Sequence, residues 1–265
     1  MPIGRRLRTG ANTMTKTVAI NGVKDWTLKL PESSADEWLG NMEHHNNQWE
    51  LPRLHALEKL IQDIGEAKGR RPVVLYVGAY KGDMAALLAK LGADLMLVES
   101  TAAFWPLIKE TWDLNPELPE PVAFFSGLMA RETKFADDID LTQWPTRQAE
   151  YIEGQVGFTH LAESINDPTF PQITIDDLIK RTGIKPDIIT MDIEGSELEA
   201  LYGGLDTIIN HDATYVLSVH PEFMYHNHGT YERELHDLLR NNKYIGTWLD
   251  YDHEHHWLYV KEGKA

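Results

Sequence analysis

The sequence predicts an α/β protein built on a mostly parallel sheet with helices on both faces, preceded by a small N-terminal cap. Three observations carry that expectation. From Pro72 onward, short apolar runs alternate with helical stretches, the order that parallel strands and their crossovers require. The runs have no polar phase, as expected of strands covered on both faces. The residues that close them are glycines, acids and a histidine, and in such sheets ligands bind outside the carboxyl ends of the strands.

The opening stretch MPIGRRLRTGANTMTK is basic but leads into no apolar run. It is expected to be a disordered leader rather than a secretory signal, with Met14 an alternative start. TVAINGVKDWTLKLP alternates apolar and polar residues around Asn21-Gly22, a pair suited to a type I′ turn, and predicts a hairpin. SSADEWLGNMEHH and LPRLHALEKLIQDIGEAKG predict two helices. In the second, Leu54, Leu57, Ile61 and Ile64 form one stripe, and Gly69 stands just past the end. Residues 1–70 make the leader, hairpin and cap, and 71–265 the main domain.

In that domain PVVLYVG, ADLMLVES, PVAFFSG, PDIITMD and TYVLSVH read as strands. GDMAALLAKLG, AAFWPLIKETWDLN, TIDDLIKRTG, SELEALYGG and TYERELHDLLRNN read as helices. Thr174 with Asp177 and Ser196 with Glu199 have the spacing of capping boxes. YIGTWL and HHWLYV are expected to pair as an antiparallel end. Residues 128–171 follow no period and read as an insertion or lid.

The net charge of −16 argues against a broad nucleic-acid face, which needs clustered Lys and Arg to displace counterions. Without cysteine there is no disulfide, zinc–thiolate centre or cysteine nucleophile. No apolar run approaches transmembrane length, so no membrane span and a cytoplasmic location are expected.

The strand ends carry the chemistry. VGAYKGD places Gly78 and Gly82 between a strand and a helix, but Tyr80 occupies the middle position of a dinucleotide fingerprint, which disfavours a pyrophosphate ligand. No Walker loop follows. Glu99 ends the next strand twenty-one residues after Gly78, where nucleoside-binding folds hold ribose hydroxyls on an acid. A nucleoside without pyrophosphate points to S-adenosylmethionine.

VGAYKGDMAALLAKLG, VES, ITIDDLI, PDIITMDIEGSELEALYGG and SVHPEF, in that order, resemble the FkbM-type S-adenosylmethionine-dependent methyltransferases from about Val73 to Val260. Three positions depart from the family pattern: Tyr76 stands where Asp is usual, Tyr80 where Asn is usual, and Ser100 where Pro often follows the acid. The resemblance implies a class I methyltransferase (Rossmann-like) fold, a seven-stranded sheet with one antiparallel strand. It implies that Gly78, Ala79, Tyr80 and Gly82 pass under the methionine part of the cofactor. Glu99, with Ser100 beside it, would hold the ribose, and Ser126 and Gly127 would lie near the adenine. Asp192 would face the sulfonium or the substrate.

A hydroxyl acceptor must lose its proton, and His220 is the candidate general base, with Glu222 placed to orient its imidazole. Its alternative is a histidine capping a strand end. Asp192, Glu194, His220 and Glu222 form a possible set for Mg²⁺ or Mn²⁺. Glu194 reads equally as an acid beside a helix N-terminus, and Glu197 and Glu199 read as first-turn acids favoured by the helix dipole. His44-His45, His226 with His228, and DHEHH read as solvated, although substrate contact is open for His226 and His228. Trp105 and Trp112 read as core, and Trp144 as the candidate for stacking on an acceptor.

The activity expected is O-methyl transfer to a sugar hydroxyl of a glycan or glycosylated small molecule. Other acceptors, a non-catalytic protein keeping the fold and, more distantly, a nicotinamide dehydrogenase are the alternatives.

Overall fold

The computed structural model describes residues 14–146 and 169–263. The leader before Met14 and residues 147–168 of the expected insertion lie outside the described residues.

Strands β1 (Thr15–Ala19) and β2 (Thr27–Pro31) pair antiparallel, with Ala19 opposite Thr27. The predicted turn is present: Asn21 and Gly22 have φ of 47° and 71°, and the Val23 amide donates to Ile20 O. It is one part of a longer connection, Ile20 to Trp26, because the chain folds back to bury the Trp26 indole. Helix α1 (Glu32–His44) follows, then α2 (Leu51–Lys68). Leu54, Leu57 and Ile61 of α2 are buried and Ile64 packs at their edge, while Gly69 ends the helix in the left-handed region.

The main sheet takes β3 (Val73–Val77), β4 (Asp94–Glu99), β5 (Ala123–Ser126), β8 (Ile188–Asp192), β9 (Thr214–Val219), β10 (Tyr244–Tyr251) and β11 (His255–Lys261). Its order is β10-β11-β9-β8-β3-β4-β5. The central strands are parallel and β11 runs antiparallel between β9 and β10. Two short strands, β6 (Leu128–Met129) and β7 (Gln172–Ile173), pair beside it at the two ends of the expected insertion.

Side chains of β3 alternate between two apolar layers. Val74 and Tyr76 pack with α1 and α2, Leu75 and Val77 with the opposite face. Covering on both sides explains the unbroken apolar runs. Helices α3 (Asp83–Lys90) and α4 (Trp105–Leu114) follow β3 and β4. On the other side of the insertion come α5 (Ile175–Thr182), α6 (Glu197–Tyr202), α7 (Leu205–Asn210), α8 (Pro221–His228) and α9 (Glu232–Asn241). Among the described residues no helix is long and apolar enough to cross a membrane.

Both predicted capping boxes need correction. Thr174 does accept from the Asp177 amide, but its own amide donates to Thr133 Oγ1 at 3.1 Å instead of to Asp177. Ser196 caps nothing with its side chain: its hydroxyl lies 3.1 Å from His228 Nε2, and Glu199 accepts from Nε and Nη2 of Arg131. Tertiary partners outcompeted the local ones.

Candidate active site

The strand order reverses between β3 and β8, and a pocket of about 320 Å³ opens at their carboxyl ends. Gly78 lets the chain pass there. Its φ is +86°, and a Cβ would overlap the Asp192 carbonyl oxygen, so the ends of β3 and β8 approach as only glycine permits. Gly78, Ala79, Tyr80, Glu99, Ser100, Gly127, Asp192 and Glu194 line the pocket. Gly82 and Ser126 are not among its lining residues: a Cβ on Gly82 would meet Ile108 at 3.1 Å, so this glycine serves helix packing, and Ser126 is buried beside Glu99 in the ladder.

Glu99 is buried at the end of β4. One of its oxygens accepts from the Tyr80 amide at 2.7 Å and the other from the Thr101 amide at 2.6 Å. Burial pushes its pKa up to about 7 against those two bonds. Tyr80 itself sits at φ +48°, packs edge-on against Phe104 and donates its hydroxyl to Glu37 of α1 at 2.8 Å. The departure from the family's Asn thus fastens α1 to the pocket rim.

Helix α1 and the turn into α2 build one wall. Glu37, Trp38, Asn41, Trp49 and Glu50 line the pocket, and Arg53, fully buried on α2, sits below it. The Arg53 guanidinium pairs with Glu50, donates to Thr190 Oγ1 at 3.3 Å and lies 3.5 Å from Asp192. Burial, reinforced by Glu254, still holds the Asp192 carboxyl well above its ordinary range.

His220, at the end of β9, lies behind the pocket and is buried. Its Nδ1 bonds Glu197 Oε1 at 2.9 Å, and its Nε2 meets Glu254 closely, with Asp192 at 3.7 Å and Glu194 at 3.8 Å. Burial opposes charge on the ring, but Glu197 and Glu254 outweigh it and push the pKa up to about 12. The expected general base thus sits between carboxylates, with Nδ1 committed to Glu197 and Nε2 turned toward Glu254, Asp192 and Glu194.

The expectation for Glu222 is corrected. Its side chain is 79% exposed and lies 3.7 Å from His226, so it neither orients His220 nor joins a metal set with it. Glu197, read from sequence as a first-turn acid, holds the imidazole instead. Nor is DHEHH a solvated run: Glu254 and His256 are buried, and His255 bonds Glu232 at 2.8 Å. A period-two reading of HEHHW as a strand would have turned residues 254 and 256 inward together. No such signal existed for Arg53, whose helix period is ordinary. Trp105 and Trp112 are core as expected. Trp144 packs on Phe124, with ring centres 4.6 Å apart, and donates to Glu120 at 3.0 Å, outside the lining of the pocket. Trp38 and Trp49 are the tryptophans that line it.

A family model described as the methyltransferase FkbM domain matches residues 120–257. The chain belongs to that family. No curated protein sequence matches it significantly. Among solved structures, an FkbM methyltransferase from Methylobacillus flagellatus KT is 17% identical with a TM-score of 0.49 over 71% of this chain, which spans 43% of that one. Magnesium protoporphyrin IX methyltransferase from Synechocystis PCC 6803, with S-adenosylmethionine bound, is 11% identical with a TM-score of 0.45, covering 81% of this chain and 82% of that one. The bifunctional kinase-methyltransferase WbdD is 12% identical with a TM-score of 0.44, covering 79% and 39%. The FkbM chain described here carries the class I methyltransferase topology, with seven strands and β11 antiparallel.

Proposed function

We propose that this chain is an S-adenosylmethionine-dependent O-methyltransferase whose acceptor is a neutral, sugar-like polyol. The observation that carries the proposal is the charge of the pocket. Glu37, Glu50, Asp83, Glu99, Asp192 and Glu194 line it, and among the described residues no lysine or arginine does. Such a lining suits a sulfonium cation and a partner rich in hydroxyl donors, and it repels phosphates and uronates.

The residues fit the cofactor. Glu99 accepts from the Tyr80 and Thr101 amides and lines the pocket, where its carboxylate can take a ribose hydroxyl as well. At Gly78 no side chain intervenes between backbone and ligand. S-adenosylmethionine, when bound, supplies an electrophilic methyl group for in-line displacement.

The chain's own part is positioning and charge. Asp192 and Glu194, at the tip of β8, accept the hydrogen bond of the acceptor hydroxyl and so draw its oxygen toward the reacting centre. One of them takes the hydroxyl proton as that oxygen gains the methyl group and S-adenosylhomocysteine leaves. Trp49, half-buried and tilted against the buried Trp38 with ring centres 4.6 Å apart, offers a flat apolar face to a sugar ring.

Transfer of label from S-adenosylmethionine to a panel of neutral and uronate oligosaccharides tests this. Methylation confined to neutral members is expected. Equal methylation of uronates would overturn the acceptor class, and no transfer to any hydroxyl would overturn the activity.

A further inference from the structure

We propose that the imidazole–carboxylate cluster behind the pocket is a binding site for one divalent transition-metal ion, held by the buried His220 and Glu254 and by the more exposed His253. It goes beyond the methyl-transfer reading, because the residues that define it are not those that hold the cofactor.

The geometry comes first. One ligand atom from each of the three residues lies within 4.8 Å of the other two. Asp192 Oδ1 and Glu194 Oε2 stand 3.7 and 3.8 Å from His220 Nε2, on the pocket side. Ligand atoms around a single ion with bonds of about 2.1 Å sit roughly 3–3.5 Å apart, so a small contraction closes this shell.

The second observation is independent of the clustering. His220 Nε2 and the Glu254 carboxylate crowd each other as an ion pair without hydrogen-bond geometry, and neither has a hydrogen-bond partner elsewhere, although these residues are only 4% and 1% exposed. Buried polar atoms are almost always satisfied, and unpartnered ones that face each other call for a missing group. Donors alone do not explain them. The His220 Nδ1 is already committed to Glu197, which leaves Nε2 as the nitrogen aimed at three carboxylates. A carboxylate on the far nitrogen is the arrangement that orients a metal-ligating histidine.

The donor set selects the ion. Two imidazole nitrogens with carboxylate oxygen suit Mn²⁺, Fe²⁺, Co²⁺ or Zn²⁺ better than Mg²⁺, which prefers all-oxygen shells. Glu254 also faces Nε2 of His256 at 3.6 Å, and Glu50 lies close by, giving a second grouping. That one is disfavoured because the Arg53 guanidinium already pairs with Glu50 and supplies the positive charge there. The His220 side is open instead: His253, Asp192 and Glu194 line the pocket, so free coordination positions would face the acceptor.

The test titrates the metal-stripped full chain with Co²⁺ alone, read by visible d–d absorption, and with Mn²⁺ alone, read by calorimetry. One equivalent is expected to bind. Glu254→Gln and His253→Asn should each weaken it by about tenfold or more, as even outer-shell losses reach that size. The His253 side chain is 60% exposed, so its variant is not expected to unfold, and Glu222→Gln should bind like the wild type. Absence of binding, or unchanged affinity in both ligand variants, overturns the site. A parallel titration with S-adenosylhomocysteine separates the two readings: metal binding without cofactor binding sinks only the methyltransferase, and the reverse sinks only the metal.

Discussion

Across 2.9 Å of interior, the Glu197 carboxylate at the start of α6 accepts a hydrogen bond from Nδ1 of His220 at the end of β9. The same carboxylate oxygen lies 3.1 Å from the Gly195 amide, so one acid fixes both the imidazole and the tight turn after β8. Glu197→Ala leaves a buried ring N–H unpaired and should cost about 1–3 kcal/mol of stability. Glu197→Gln keeps an acceptor oxygen and should cost less. Denaturant unfolding of the two variants checks the order, and equal losses would mean that the hydrogen bond is not what matters.

Gly78 and Gly229 both have positive φ, +86° and +66°, but their surroundings differ. An added Cβ meets nothing at Gly229, so Gly229→Ala should cost only the left-handed strain of roughly 1–2 kcal/mol. Gly78→Ala must in addition push β8 away from β3, so it should cost more and abolish S-adenosylhomocysteine binding. Melting curves and calorimetry on the pair measure the difference.

Glu99 gives the pH dependence. Its folded pKa is raised from 4.5 to about 7, so between those values the folded chain holds a proton that the unfolded chain has released. Its contribution to stability is therefore lost as pH rises through that window and stays lost above it. Ligand binding runs the other way, because ribose hydroxyls donate to the ionised carboxylate. Affinity for S-adenosylhomocysteine should increase between pH 6 and pH 8 and become flat in Glu99→Gln. A flat wild-type profile would remove the ribose from Glu99.

Trp144 supports the α4–β5 region rather than an acceptor. Trp144→Ala should lower the melting temperature, with a loss below the roughly 3–5 kcal/mol of a fully buried tryptophan. The acceptor KM should not change. Trp49→Ala should raise that KM, and the reverse pattern would restore the stacking role to Trp144.

The sheet was legible because its signals are local. Apolar runs closed by Gly78, Glu99 and Asp192 mark parallel strands and their binding ends without any tertiary knowledge. The capping boxes failed for the opposite reason: Ser196 and Glu199 found better partners in His228 and Arg131, which no spacing reveals. The floor of the site was hidden in the same way. Arg53 arrives from the cap, Glu197 looks like any first-turn acid, and Glu254 sits in a histidine-rich run that reads as solvated. Burial gives these residues their chemistry, and burial of charged side chains is a property of the folded chain alone.

The most direct measurement of the central claim is calorimetric titration of the full chain with S-adenosylhomocysteine, repeated on Glu99→Ala. Micromolar binding by the wild type, weakened about tenfold or more in the variant (about 1.4 kcal/mol or more), is the predicted result. No binding by the wild type, or equal binding by both, would contradict the pocket at the ends of β3 and β4 as the cofactor site.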